Sequence, residues 1–153
     1  AFEQLGDNVD LWIAGEGPDT AALQAQTKGD PRIHWLGRVT DEDKIARLRG
    51  ADVFCAPSLG GESFGVVLIE SMAAGTTVVA SGLDGYRNVA THEENALLAE
   101  PGDAGALAAA IQRALDDDNL TERLRAHGSL RALDFSMSTL VDHYIRIYRN
   151  LIA

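Results

Sequence analysis

A chain of 153 residues with 46% hydrophobic and 24% charged residues is long enough for one domain with a core of its own. Its net charge of −10 argues against nucleic acid as a partner, since phosphate backbones are held by clustered Lys and Arg, and against direct binding to an anionic bilayer. It has no apolar run of about eighteen residues and no basic-then-apolar leader, so neither a transmembrane helix, direct membrane insertion nor a signal peptide is expected.

In chain order, AFEQLGDNV (Ala1–Val9) reads as the tail of a helix and DLWIAG (Asp10–Gly15) as a first strand. A helix is expected to start near Pro18, because a first helical turn has no use for the missing N–H. RIHWLGRV (Arg32–Val39) reads as a second strand. DEDKIARLRG (Asp41–Gly50) follows as a helix, acidic at its start, basic at its end and stopped by Gly50. ADVFCAP (Ala51–Pro57) is a third strand. Its cysteine, Cys55, is the only one in the chain and is expected to be a buried thiol, since a nucleophile wants a polar, electropositive setting. After an apolar helix ending at Gly75 come TTVVAS (Thr76–Ser81), a fourth strand, and NALLAEP (Asn95–Pro101), a fifth short one.

The last third is helical: Leu107, Ala108, Ile111, Ala114 and Leu115 recur at helical spacing, and so do Leu140, Tyr144, Ile147, Tyr148 and Leu151. The strands are apolar throughout, as strands buried on both faces should be, and Trp12 and Trp35 are expected in the core. Strand–helix alternation predicts one α/β domain, a Rossmann-like doubly wound parallel sheet wrapped by helices. Such a half begins with a strand, whereas this chain opens on a helix tail. The sheet is therefore expected to lack its first strand, and the chain to be part of a larger polypeptide or completed by a second piece.

GEGPDT (Gly15–Thr20) follows a strand and opens a helix, which invites a dinucleotide-site reading. The full G-x-G-x-x-G fingerprint is broken by Thr20, and the next strand ends in Gly37 and Arg38 instead of an acid. A tight strand-to-helix turn fits better than a nicotinamide or flavin site. His34, His92, His127 and His143 have no metal-ligand spacing, so no metal site is expected.

LGGESFGVVLIESMAAG (Leu59–Gly75) carries more chemistry. Gly60 and Gly61 let the backbone turn and approach a ligand closely. Ser63, Phe64, Gly65 and Val66 stand at a helix entry, where N–H groups without intrahelical partners and the positive dipole end make a phosphate or diphosphate site. Glu70 lies about 6–8 Å further along, at about 1.5 Å per residue. Among Val66, Val67, Leu68, Ile69, Met72 and Ala73 its carboxylate is costly to bury unless hydrogen-bonded, and a ribose diol would satisfy both oxygens. Glu62, on the phosphate side, is placed to accept hydroxyls from whatever the phosphate carries. The competing reading, an exposed Glu70 with a helix-start charge at Glu62, suits an arbitrary E-x7-E better than one set among these glycines and apolar residues.

E-x7-E within GGESFGVVLIESMAAGTTVVAS resembles the nucleotide-sugar signature of family 4 retaining glycosyltransferases (glycosyl transferases group 1) of GT-B architecture. Within that family FCAPSLGGESFGVVLIESMAAGTTVVAS most resembles the actinobacterial phosphatidylinositol mannosyltransferases, which use GDP-mannose. The resemblance runs from about Val9 to Tyr148 and covers the C-terminal, donor-binding half. It implies that Glu62 binds the transferred sugar, that Gly61, Ser63, Phe64, Gly65 and Val66 approach sugar and diphosphate, and that Glu70 binds ribose. It sets the base against Val39, Asp41 and Lys44. A carboxylate can accept from guanine N1–H and N2–H, and an ammonium can donate to O6, although a helix-start acid and a solvated lysine read equally well from sequence.

The resemblance further implies residues 1–135 as the nucleotide-sugar-binding domain and 136–153 as a helix packing back toward an N-terminal, acceptor-binding domain. That domain, its usual catalytic histidine, and the family's first strand with its diphosphate-neutralising Arg and Lys are not in this chain. By itself the chain is not expected to catalyse. The expected donor is GDP-mannose, with a UDP-sugar as alternative, and no tightly bound cofactor. The acceptor would be phosphatidylinositol-like or another polyol, and the setting cytoplasmic, peripheral to the inner face of the plasma membrane. A non-catalytic nucleotide-sugar-binding module on the same scaffold is the alternative function.

Overall fold

The computed structural model describes residues 1–152; residue 153, the last of the expected C-terminal helix, lies outside them. After a short 3-10 helix at Phe2–Gln4 come β1 (Leu11–Ala14), α1 (Thr20–Gln26), β2 (Ile33–Gly37), α2 (Asp41–Gly50), β3 (Val53–Ala56) and α3 (Val66–Ala74). They are followed by β4 (Thr77–Ser81), α4 (Asp84–Arg87), β5 (Leu97–Ala99), α5 (Ala104–Asp116), α6 (Asp118–Asp134) and α7 (Met137–Ile152). The paired strands run parallel, as connections through helices demand.

The sheet is in two pieces, β1–β2 and β3–β4–β5 in that order. Among the described residues, β1 pairs only with β2 and β3 only with β4, so each leaves one edge open. Burial follows this division. In β4 every residue is buried, the pattern expected of a central parallel strand. In β1 and most of β2 burial instead alternates, and Trp12 is 45% exposed with the Arg47 guanidinium 5.3 Å from its ring centre. The expectation of a core position therefore fails for Trp12, while Trp35 is part-buried. The reason is thin cover: α1, the crossover between these strands, has no buried residue. α1 also starts later than expected. Asp19 is its N-cap and Pro18 lies in the preceding turn, closed by the Gly17 N–H donating to Thr20 Oγ1 at 2.8 Å.

The core lies around the second sheet. Leu68 and Met72 of α3, Val78 and Ala80 of β4, Tyr86 of α4, Val89 just after α4, and Ala132 of α6 form one cluster. Val79, Leu97, Leu120 and Leu124 form another on the opposite side of β4. α3 is nearly all apolar because it is pressed between β4 and α6, where Gly128 admits the Met72 side chain. Met72 sits 3.2 Å from where a Cβ on Gly128 would stand. α7 differs: it has no buried residue, and Leu140, Tyr144, Ile147, Tyr148 and Leu151 are all exposed.

Candidate functional site

β3 ends at Ala56, and the chain crosses to α3 through a loop that carries Ser58 to Gly65. Two of its glycines take left-handed φ, Gly61 at 80° and Gly65 at 94°, conformations that cost an L-residue about 1–2 kcal/mol. Gly65 is the N-cap of α3; its carbonyl accepts from Leu68 N–H at 3.0 Å and Ile69 N–H at 3.4 Å. The N–H groups of Ser63 through Val67 precede those first donors and have no acceptor among the described residues, leaving the positive end of the α3 dipole open. Glu62, Ser63, Phe64 and Val66 are exposed at this end. Phe64 is steadied by an edge-to-face contact with Phe135, ring centres 5.5 Å apart.

Further along α3, Glu70 is 38% exposed, not enclosed by its apolar neighbours. Lys44 of α2 answers it: Lys44 Nζ donates to Glu70 Oε1 at 2.8 Å and lies 3.3 Å from Asp41 Oδ1. Thr40 fixes this arrangement by capping α2, its Oγ1 accepting from Asp43 N–H at 3.1 Å, a cap worth about 1 kcal/mol. The hydrogen bond to Glu70 raises the Lys44 pKa above the lysine value of 10.5; burial opposes this and the Asp41 contact adds to it. Val39 sits just before the Thr40 cap, in the turn from β2 into α2.

The candidate residues thus form two groups on one helix. Gly61 to Val66 surround the start of α3, while Asp41, Lys44 and Glu70 make a charge cluster one to two turns along it. The first can hold an anion through backbone dipoles, and the second can exchange hydrogen bonds with a polyol or a base edge. GEGPDT joins neither: Gly17 N–H closes its own turn on Thr20 Oγ1 at 2.8 Å, and Gly15 N–H donates across to the Gly37 carbonyl at the end of β2 at 2.7 Å. Cys55 is part-buried, and burial pushes its thiol from 9.0 up to about 11, which leaves it inert as a nucleophile. His34 meets Asp10, His92 Nδ1 accepts from Leu98 N–H at 2.9 Å, and His127 meets the Glu94 carbonyl.

Residues that sequence reasoning missed lie beneath the loop. α4 is only four residues long, below any detectable period, yet it brings Gly85 and Tyr86 against the Glu62–Gly65 turn.

Residues 1–117 match the model of the glycosyl transferases group 1. The chain belongs to that family. Among curated glycosyl transferases it is 44% identical over 146 residues to the phosphatidyl-myo-inositol mannosyltransferase of Mycobacterium leprae, covering 95% of this chain and 39% of the relative. It is 36% identical over 152 residues to the lipopolysaccharide core biosynthesis glycosyltransferase LpsD of Rhizobium meliloti, covering 96% of this chain and 43% of LpsD. The chain thus spans about two-fifths of the length of these relatives.

Two solved structures carry the same fold. HepE of Anabaena in complex with UDP superposes with a TM-score of 0.87 at 22% identity, covering 97% of this chain and 43% of HepE. Sucrose-phosphate synthase of Thermosynechococcus elongatus gives 0.80 at 31% identity, covering 94% and 38%. The fold is that of the Rossmann-like C-terminal half of a GT-B glycosyltransferase.

Proposed function

We propose that this chain is the donor-binding half of a retaining glycosyltransferase that moves a hexose from a nucleoside diphosphate to a polyol acceptor. Mannose from GDP-mannose is the favoured donor and a phosphatidylinositol-like headgroup the favoured acceptor. The observation that carries this reading is the pairing, on one short helix, of an open N-terminus beside Glu62 with the Lys44–Glu70 cluster further along. The 44% identity to a phosphatidyl-myo-inositol mannosyltransferase supports the choice of sugar and acceptor.

The donor lies along α3. Amides of Ser63, Phe64, Gly65 and Val66 take the diphosphate, with Gly61 opening the approach, and Glu62 accepts hydroxyls of the hexose. Glu70 takes the ribose diol, and Val39, Asp41 and Lys44 take the base. Lys44 then has two states, bonded to Glu70 before the donor arrives and shared with the base afterwards. The hexose leaves its diphosphate through an oxocarbenium-like state while an acceptor hydroxyl enters on the same face. The chain's part is positioning and electrostatic stabilisation of the departing charge. The rest of the polypeptide supplies the acceptor site and further cations, entering at the open edges of β1 and β3 and covering the apolar stripe of α7. Residues 1–135 form the donor domain and 136–153 the returning helix. No described helix is long and apolar enough to cross a membrane; a phospholipid acceptor met peripherally, at the cytoplasmic face, belongs to this reading through the likeness to the phosphatidyl-myo-inositol mannosyltransferase.

Calorimetry on the complete protein with GDP-mannose and UDP-glucose tests this. Glu70→Ala should weaken nucleotide-sugar affinity by at least about tenfold, the worth of a charged hydrogen-bond acceptor. Unchanged affinity removes the ribose assignment, and full turnover in Glu62→Ala removes the sugar-orienting one.

A further inference from the structure

The loop that carries Glu62 does not hold itself; it rests on α4. A Cβ added at Gly85 would overlap the Glu62 carbonyl, so the two backbones touch with nothing between them. The next residue, Tyr86, is 1% exposed and is the largest of the fully buried side chains. Its ring edge lies against Gly65, where a Cβ would stand 2.8 Å from Tyr86 Cδ1. Its hydroxyl is 3.0 Å from Ser58 Oγ, at the other end of the same loop. One side chain therefore bears on the last residue of the loop and hydrogen-bonds to its first.

Packing alone asks only for an aromatic ring here, and phenylalanine would supply it. A buried hydroxyl is costly without a partner, and this one has Ser58. The Glu62 carboxylate is also close enough to be felt. Burial raises the phenol pKa, the Ser58 hydrogen bond lowers it, and Glu62 adds to the rise, so the phenol stays protonated and able to donate near neutral pH. Gly85, Tyr86 and Ser58 lie outside the groups assigned above to ribose, base and diphosphate.

We infer that Tyr86, with Ser58, is a positioning residue for sugar recognition: its hydroxyl holds the 58–65 loop so that Glu62 meets the hexose. This rests on the donor-binding reading of the site. Base and ribose are held at the Lys44–Glu70 cluster, which Tyr86 does not touch, and the diphosphate only in part by loop amides, Ser63 to Gly65, with Val66 inside α3. The Tyr86 hydroxyl therefore matters more to the hexose, which Glu62 alone meets, than to the nucleotide.

The test uses the complete protein with GDP and GDP-mannose as probes, with UDP and UDP-glucose in parallel, and Tyr86→Phe, Ser58→Ala and the double variant. Loss of one neutral hydrogen bond predicts a fall in kcat of about 3- to 10-fold in Tyr86→Phe, with GDP affinity within about twofold of wild type. Ser58→Ala should do the same, and the double variant no more than either, because the two share one interaction. Adding Tyr86→Phe to Glu62→Ala should change nothing further. Wild-type kcat in both single variants overturns the inference, and so does an equal loss of GDP and GDP-mannose affinity, which marks general loosening of the fold. Should Tyr86→Phe lose stability in thermal unfolding, Ser58→Ala, at a part-buried position, decides by the same readouts. A wild-type protein that binds none of these probes sinks the donor reading and this inference together. One that binds them while the variants stay insensitive sinks the inference alone.

Discussion

Lys44 and Glu70 are 26 residues apart in sequence, and each is ordinary where it stands: a lysine on a charged helix and a glutamate on an apolar one. Their pairing explains why a carboxylate is tolerated on α3. It also has a pH signature. Glu70 favours the ammonium form in the folded chain, so the Lys44 pKa is raised above 10.5. The pair's contribution is therefore fully present below that value and is lost as pH rises through the raised pKa. Both side chains are about a third exposed, which holds the contribution to about 0.5 kcal/mol. In denaturant unfolding, the stability gap between wild type and Lys44→Met should be flat from about pH 7 to 9.5 and close in stronger alkali. Cys55 gives a second residue-scale test. A thiol moved from 9.0 to about 11 holds about a hundredfold less thiolate at a pH near 8, so alkylation should be correspondingly slow in the folded chain and ordinary after denaturation.

Elements differ in how far their sequences betray them. β4 was legible because TVVAS is buried on both faces and is apolar accordingly. α2 was legible from its acid-to-base polarity, and the entry to α3 from its glycines. α4 was not, since four residues make barely one turn and leave no period to read. Its importance lies in contact with a loop more than twenty positions earlier. Gly85→Ala tests that contact: with the Glu62 carbonyl in the way, it should cost about 1–3 kcal/mol in chemical denaturation. Gly60→Ala, where a Cβ meets nothing within 4 Å, should change stability by less than about 0.5 kcal/mol. β1 and β2 were placed correctly along the chain, but their burial was overestimated. Their apolar residues look like core, yet α1 buries none of its own and covers them poorly.

For the molecule as a whole, both sheets have an open edge and α7 buries none of its described residues, in a chain that spans about two-fifths of the length of the curated relatives it matches. α7 has no buried residue, so removing residues 137–153 should move the thermal midpoint of the remainder by less than about 4 °C in a circular dichroism melt. The same deletion in the complete protein should cost far more if the apolar stripe is covered there. The sequence by itself determined the α/β class, the order of the five strands and of the helices other than α4, and the E-x7-E helix entry. These follow from local periodicity and from glycines whose conformational freedom is a property of single residues. Only the tertiary structure decided that Lys44 neutralises Glu70, that Trp12 faces outward and that Tyr86 and Ser58 brace the loop beneath Glu62. Those depend on which distant segments share a surface, and neither spacing nor composition encodes that.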